Sequence, residues 1–247
     1  MSGRGVMEIL PVPGLPEIHA GDDLAALIAG AVQLREGDIL VVAQKIVSKA
    51  EGRVRDLRDV RPGDRACELA RRLGGEPKLI QVVLDESARI VRAERVLIVE
   101  TRHGFVCANA GVDHSNIEAP DTVTLLPEDP DGSAARLRRR LRELTGITPG
   151  VIVSDTFGRA WRLGIQNVAI GVAGLPAVDD LRGTADDFGR ELRATVVAVA
   201  DEVAAAAGLV MGKTARVGAA VVRGWRSGAA AGTGRDLLRP AAEDLFR

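Results

Sequence analysis

Aromatic side chains are almost missing from this 247-residue chain: two Trp, four Phe and no Tyr. Its core must therefore be assembled from Ala, Val, Leu and Ile. Such side chains fill space only when their backbones approach closely, since interiors pack at crystal-like density. The same scarcity excludes the stacking platforms that single-stranded nucleic acid requires. The charges, 33 Lys+Arg against 34 Asp+Glu, exclude a strongly basic nucleic-acid binder and an acidic tail protein. A chain of this length buries roughly 70–75% of its unfolded surface and needs no covalent staples. Cys67 and Cys107 lack CxxC spacing and read as small apolar residues. The apolar run Met7–Val12 is too short for a signal peptide and meets Pro11, Pro13 and Pro16. No run reaches the ~20 apolar residues of a membrane span, and the most apolar one, 194–211, is interrupted by Asp201 and Glu202. These features predict a cytoplasmic protein with no membrane and no nucleic-acid partner.

The apolar pattern predicts a strand over Met7–Val12. A helix opens at Asp22-Asp23, with Leu24, Leu27, Ile28 and Val32 at helical spacing. Ile39–Val42 reads as a buried strand, followed by a polar stretch from Gln44 to Glu51 and a charged loop from Gly52 to Pro62. Asp64–Leu73 reads as a helix ended by Gly74-Gly75, and Lys78–Leu84 as a short helix or strand. Strands are expected at Ala88–Val91, Val96–Val99 and Gly104–Ala108, joined by turns. Asp131–Thr145 reads as an amphipathic helix with Leu137, Leu141 and Leu144 inside. Val151–Val153 reads as a buried strand, Glu191–Ala207 as a long Ala-rich helix, Ala219–Val222 as a strand, and a short helix closes the chain. Neighbouring strands without a clean βαβ period predict α+β architecture rather than a doubly wound sheet. The chain reads as one unit over residues 1–247, with room for two subdomains.

Two segments share a design: a short apolar strand, then a carboxylate in a Gly/Ser/Asn-rich turn. One is Val106–Asn116, carrying Asp113; the other is Val151–Arg159, carrying Asp155 and Thr156. All-oxygen donors of this kind suit Mg²⁺ or Mn²⁺ better than Zn²⁺. Both aspartates could equally cap turns, as Asp commonly does. Gly212-Lys213-Thr214 fails as a phosphate loop, because the motif wants Gly where Ala207 stands. A Lys beside glycines can still meet a phosphate, and Gly212 can also end the preceding helix. His19 and His103 read as solvated turn residues, and His114 lacks zinc-pair spacing. Trp161 reads as an anchor or a pocket wall.

Taken together, six segments resemble the coenzyme F420-0:L-glutamate ligase family in content and order. They are Leu10-Pro11 with Gly14-Leu15-Pro16, Gly21–Leu24, Val47–Gly52, Ala108–Asn116, Ser154–Arg162 and Leu209–Lys213. The resemblance runs from Met7 to about Arg223. It implies an unusual α+β fold and an intertwined homodimer. It also implies GTP-dependent joining of L-glutamate to the lactyl carboxylate of coenzyme F420-0, with further γ-linked glutamates. Mg²⁺ or Mn²⁺ is implied as the metal, with K⁺ as an additional cation. Asp113, Asp155 and Thr156 are implied as metal ligands, the two aspartates as catalytic. Leu15, Pro16, Glu17 and Ile18 are implied at the nucleotide, with Gln44, Lys45, Lys49, Asn116, Met211, Gly212, Lys213, Thr214, Ala215, Arg216, Val217 and Gly218. Many relatives carry Ser-Thr or Ser-Lys where this chain has Gln44-Lys45, so an amide replaces a hydroxyl. The segment 163–167 is assigned no role. The segment 237–246 resembles the junction that precedes a nitroreductase-like domain in bifunctional relatives, and no such domain is expected here. A catalytically inactive deazaflavin-binding module and a nucleotide hydrolase or kinase without an amine acceptor are the competing readings.

Overall fold

The computed structural model describes residues 6–114, 120–225 and 231–244. Its centre is a five-stranded sheet formed by β1 (Glu8–Pro11), β2 (Ile39–Ala43), β8 (Gly150–Arg159), β9 (Arg162–Ala173) and β12 (Ala219–Arg223). The spatial order is β1-β12-β2-β8-β9. All pairs are antiparallel except β2 with β8, which run parallel with Ala43 level with Ser154.

Strand alternation divides the sheet's side chains between two cores. Leu40, Val42, Val151, Val153 and Val221 face α1 (Leu24–Ala31) and α5 (Pro130–Thr145), against Leu24, Ile28, Ala134, Leu137 and Leu141. Ile39, Val41, Ile152, Ala220 and Val222 face α6 (Val199–Met211). Ala200, Ala204 and Ala207 of α6 are fully buried at helical spacing, so that helix lies almost backbone-to-backbone on the sheet. This is how a core poor in large aromatics closes. The Asp38 carboxylate, 1% exposed, receives two bonds from the Arg223 guanidinium, Nε at 2.8 Å and Nη2 at 2.7 Å, and so ties the start of β2 to the end of β12.

A second group of elements packs beside the sheet. Strands β4 (Ser87–Ala93), β5 (Leu97–Thr101) and β6 (Val106–Ala108) form an antiparallel meander. Helices α3 (Asp64–Leu73) and α4 (Pro77–Asp85) cover it through Ala66, Leu69, Ile80 and Val83. Gly74 closes α3 in the left-handed conformation, and the Glu76 side chain caps α4. Among the described residues no helix is long and apolar enough to cross a membrane.

The mixed α+β architecture agrees with the sequence reading, and several local expectations are corrected. The stretch after β2 is a helix, α2 (Gln44–Ala50), and the charged loop contains β3 (Val54–Asp56), paired with β7 (Thr122–Thr124). The Ala-rich helix begins at Val199, not Glu191, because Val196-Val197 form β11 and pair with Asp179-Asp180 of β10; β-branched residues fit that extended pairing better than a helix. Leu144 is 42% exposed, since the buried stripe of α5 ends at Leu141. Asp155 lies within β8 rather than in a turn past it, because β9 continues the pairing to the tip at Ala160-Trp161. Trp161 stands at that tip, 81% exposed and with positive φ, so it neither anchors the core nor lines a pocket.

Close approach is least tolerant at Gly171 of β9. A Cβ there would stand 2.2 Å from the Pro130 carbonyl oxygen and 2.9 Å from the Asp131 nitrogen at the start of α5. Neither backbone atom can swing aside. Gly171→Ala is therefore expected to cost about 1–3 kcal/mol, the usual scale of overpacking, read as a lower midpoint in urea unfolding; an unchanged midpoint would show that α5 is free to shift.

Candidate active site

The parallel pair β2–β8 delivers its carboxyl ends to one place. There a cleft of about 1080 Å³ opens between the main sheet, the β4–β6 meander and the segment that follows α6. Four basic side chains line it, Lys45, Lys49, Lys213 and Arg216, with three carboxylates, Glu17, Asp113 and Asp155.

Each side chain arrives by a separate route. Leu15–Ile18 come from the loop after β1. Gln44 and Lys45 open α2 and Lys49 lies in its last turn, the helix starting where β2 stops. Gln44 is buried and accepts a bond from the Ser48 hydroxyl at 2.9 Å. Asp113 is fixed through its backbone, its N–H donating to Thr124 O and its carbonyl accepting from Thr124 N–H. The preceding turn holds Asn109, Ala110 and Gly111 all at positive φ, a costly conformation for the buried Ala110. Asp155 and Thr156 sit on β8, opposite Val168 and Asn167. Gly212 ends α6 in a positive-φ conformation, turning the chain through 213–218 back into β12. The Ala43 N–H donates to Gly218 O at 2.9 Å, which holds that return segment against the end of β2.

The charges are interlocked. Lys45 Nζ lies 2.7 Å from Asp113 Oδ2, and Lys49 pairs with Glu17. The Lys213 ammonium donates to Thr156 Oγ1 and stands 3.4 Å from Asn167 Oδ1, to which the Thr156 hydroxyl donates at 3.1 Å. Burial pushes the Asp155 carboxyl up to about 6; a bond from the Thr156 N–H opposes the rise, Asp113 adds to it, and Lys213 and Lys45 oppose it. Burial also holds the Lys213 ammonium below its usual range, with Asp155 pulling the other way. Burial, reinforced by Asp155, raises the Cys107 thiol to about 12, so this cleft residue is inert as a nucleophile.

Of the residues singled out from the sequence, Leu15, Pro16, Glu17, Ile18, Gln44, Lys45, Lys49, Asp113, Asp155, Thr156, Met211, Gly212, Lys213, Thr214, Arg216, Val217 and Gly218 all border this one cleft. Ala215 is not among the lining residues. Asn116 lies outside the described residues. Asn167, Phe157 and Ile165 line the cleft without having been assigned there. A turn at Ala160-Trp161 alone would set residue 165 opposite 156; the irregularity between Gly158 and Arg159 moves the register by two and brings Asn167 opposite Thr156, so no local signal marked it. His103 is not solvated as expected: its Nε2 stands 2.9 Å from Pro127 O and its ring stacks on Phe105. Phe105 in turn meets Phe157 edge-on with centroids 6.3 Å apart.

The donor chemistry fits a hard divalent ion in part. Two carboxylates and a hydroxyl border the same cleft, and the raised Asp155 carboxyl records burial first and repulsion from Asp113 after it, both of which a cation would relieve. Among the described residues no three His, Cys, Asp or Glu groups cluster to cage an ion. The remaining ligands would have to be water and phosphate oxygens, the usual arrangement for Mg²⁺.

Fold and cleft together define an α+β protein with one large cleft lined by clustered charges. The family described as F420-0:Gamma-glutamyl ligase matches residues 14–224, and the chain belongs to that family. It is 47% identical over 250 residues to the coenzyme F420:L-glutamate ligase of Methanothermobacter thermautotrophicus, covering 98% of this chain and 99% of that one. It is 46% identical to the same-named protein of Archaeoglobus fulgidus, covering 98% and 96%, and 48% identical to that of Natronomonas pharaonis, covering 98% and 95%.

The Asp155 shift fixes a pH dependence. The native carboxyl keeps its proton to about 6, whereas an unfolded Asp releases it near 4. Between those values the native state binds more protons, so stability falls as pH rises, and the penalty persists above both. It amounts to as much as about 3 kcal/mol. In metal-free buffer, Asp155→Asn should therefore melt above the wild type at pH 7.5, the gap closing toward pH 4. A gap that is independent of pH, or reversed in sign, would mean that the ionised carboxylate is stabilised by its neighbours.

Proposed function

We propose that this chain joins L-glutamate to the deazaflavin precursor coenzyme F420-0, and adds further glutamates through γ-linkages, at the expense of GTP. Family membership and the names of the relatives support the glutamate ligation. The observation that carries the rest is the charge pattern of the cleft, where four cations and a crowded pair of carboxylates face one another.

A carboxylate is a poor acylating agent. Attack of a lactyl carboxylate oxygen on the γ-phosphorus of GTP, with GDP leaving, gives a mixed acyl phosphate. The glutamate amine then attacks the acyl carbon, phosphate leaves with both electrons of its C–O bond, and the ammonium proton passes to solvent. Lys49, Lys45, Lys213 and Arg216 neutralise the phosphates through both steps, the main task of a protein in phosphoryl transfer. Leu15–Ile18 offer backbone groups to the nucleotide, and buried Gln44 offers its amide where relatives offer a hydroxyl. The stretch 211–218, fixed to β2 through Gly218, closes the cleft from the other side. Asp113, Asp155 and Thr156 would hold Mg²⁺ or Mn²⁺, with K⁺ as a further cation. Bound there, a divalent ion would shield phosphate oxygens as negative charge moves among them.

The proposed assembly is a homodimer. Leu163 on the β8–β9 hairpin and Phe188 on the arm between β10 and β11 are 97% and 87% exposed, more than an isolated chain gains from showing. An intertwined interface would bury more than about 2,000 Å². Light scattering at micromolar concentration should give twice the chain mass, and a monomer would count against this assembly.

Incubation with F420-0, GTP, Mn²⁺ and L-glutamate should add mass in glutamate steps and release GDP and phosphate. GDP without an adduct would point to a hydrolase, and binding without turnover to an inactive module. In the same assay Asp155→Asn should lower ligation at least about a hundredfold, roughly 2.7 kcal/mol in the barrier. Turnover near the wild-type rate at saturating Mn²⁺ would remove Asp155 from the mechanism.

A further inference from the structure

No packing contact requires glycine at 158, which borders the register irregularity between Gly158 and Arg159. It lies inside β8, where glycine weakens a strand by roughly 0.5–1 kcal/mol relative to alanine. It is not in the positive-φ region. A Cβ built on it meets nothing within 4 Å, unlike Gly171, where packing forbids one. Glycine in a strand marks a bulge or a place where a ligand or another backbone comes close, and the extra residues of the irregularity here, 163 and 164, lie on β9 rather than on β8.

The register says what kind of surface this is. Thr156 pairs with Asn167, and Gly158 with Ile165. Residues two apart on a strand share a face, so Gly158 and Ile165 continue the face of Thr156 and Asn167, about 7 Å farther along the hairpin. Both line the cleft, and Ile165 is 62% exposed. The polar end beside Lys213 thus passes into a bare strip of backbone flanked by one aliphatic side chain. That is a shelf for the face of a planar ring. At about 1080 Å³ the cleft also reaches beyond the ~300–1,000 Å³ of a single-ligand pocket, which leaves room for a second ligand beside a nucleotide.

Resting on the ligase reading, we infer that Gly158 and Ile165 form the subsite for the tricyclic ring of the deazaflavin acceptor. The ring and the reacting carboxylate lie at opposite ends of that molecule. The carboxylate then faces Lys213 and Asn167 while the ring lies on the shelf. Absence of a side chain at 158 lets the ring approach the strand, and Ile165 covers its edge.

The test uses the full chain with Gly158→Ala, Gly158→Val and Ile165→Ser. The probes are F420-0, followed by the fluorescence of its own ring, and GTP. The expected result is a graded rise in Kd and KM for F420-0, tenfold or more for Gly158→Val and smaller for Gly158→Ala. KM for GTP should stay within twofold, and the melting temperature should hold or rise for the Gly158 variants, since a Cβ there meets nothing and glycine weakens the strand. If the wild type ligates while Gly158→Val and Ile165→Ser keep its Kd and KM for F420-0, the reaction stands and the shelf is overturned. If the variants instead change the oligomeric state with an unchanged F420-0 affinity, the shelf belongs to a second copy of the chain, and the inference is again overturned. A wild type that neither binds nor turns over F420-0 removes the ligase reading, and this subsite with it.

Discussion

The parallel pairing of β2 with β8 is the constraint on which the site depends. Their register sets Ala43 beside Ser154, so both strands deliver their next residues to the same level. On one side the chain turns at once into α2 and presents Gln44, Lys45 and Lys49. On the other it continues as β8 and presents Asp155 and Thr156. A slip of one residue would turn every side chain of the slipped strand to the opposite face. The two cores, one against α1 and α5 and one against α6, hold the register because both faces of β2 are fully buried.

The cleft concentrates charge at a cost to the fold. Asp113 and Asp155 repel, and burial makes the ionised form of Asp155 expensive. Lys45 and Lys213 relieve this only in part, and Lys213 is itself partly desolvated. A site kept in that condition is compensated when a cation and a polyanion enter together. The strained turn at 109–111 has the same logic: Ala110 in a left-handed conformation is unfavourable by itself, and it aims the chain so that Asp113 meets Lys45.

Small side chains let the surrounding layers come close. Alanines on α6 and glycine at 171 bring helices against the sheet on both faces, and no large ring props them apart. Of the few aromatics, Phe105 is buried at the edge of the core against α1 and α5, and Trp225 packs against the α6 core. Phe105 and Phe157 pack together beside the cleft with His103, while Trp161 and Phe188 stand on exposed arms.

Local signals in the sequence determined much of this protein. Asp23, Gly74 and Gly212 mark helix ends, the apolar run 39–42 marks a buried strand, and the motif residues from Leu15 to Gly218 mark the cleft. The helix ends and the strand hold because capping and periodicity are decided within a few residues, whereas the motif residues were marked by resemblance. What the sequence could not decide depended on partners far along the chain. Val196-Val197 leave the helix because Asp179-Asp180 pair with them. Asp155 stays in a strand because β9 returns beside it. Asn167, Gly158 and Ile165 acquire a place in the cleft only through the register of that hairpin. Strand pairing is a long-range choice, fixed by which faces can be buried together, and only the tertiary structure made it.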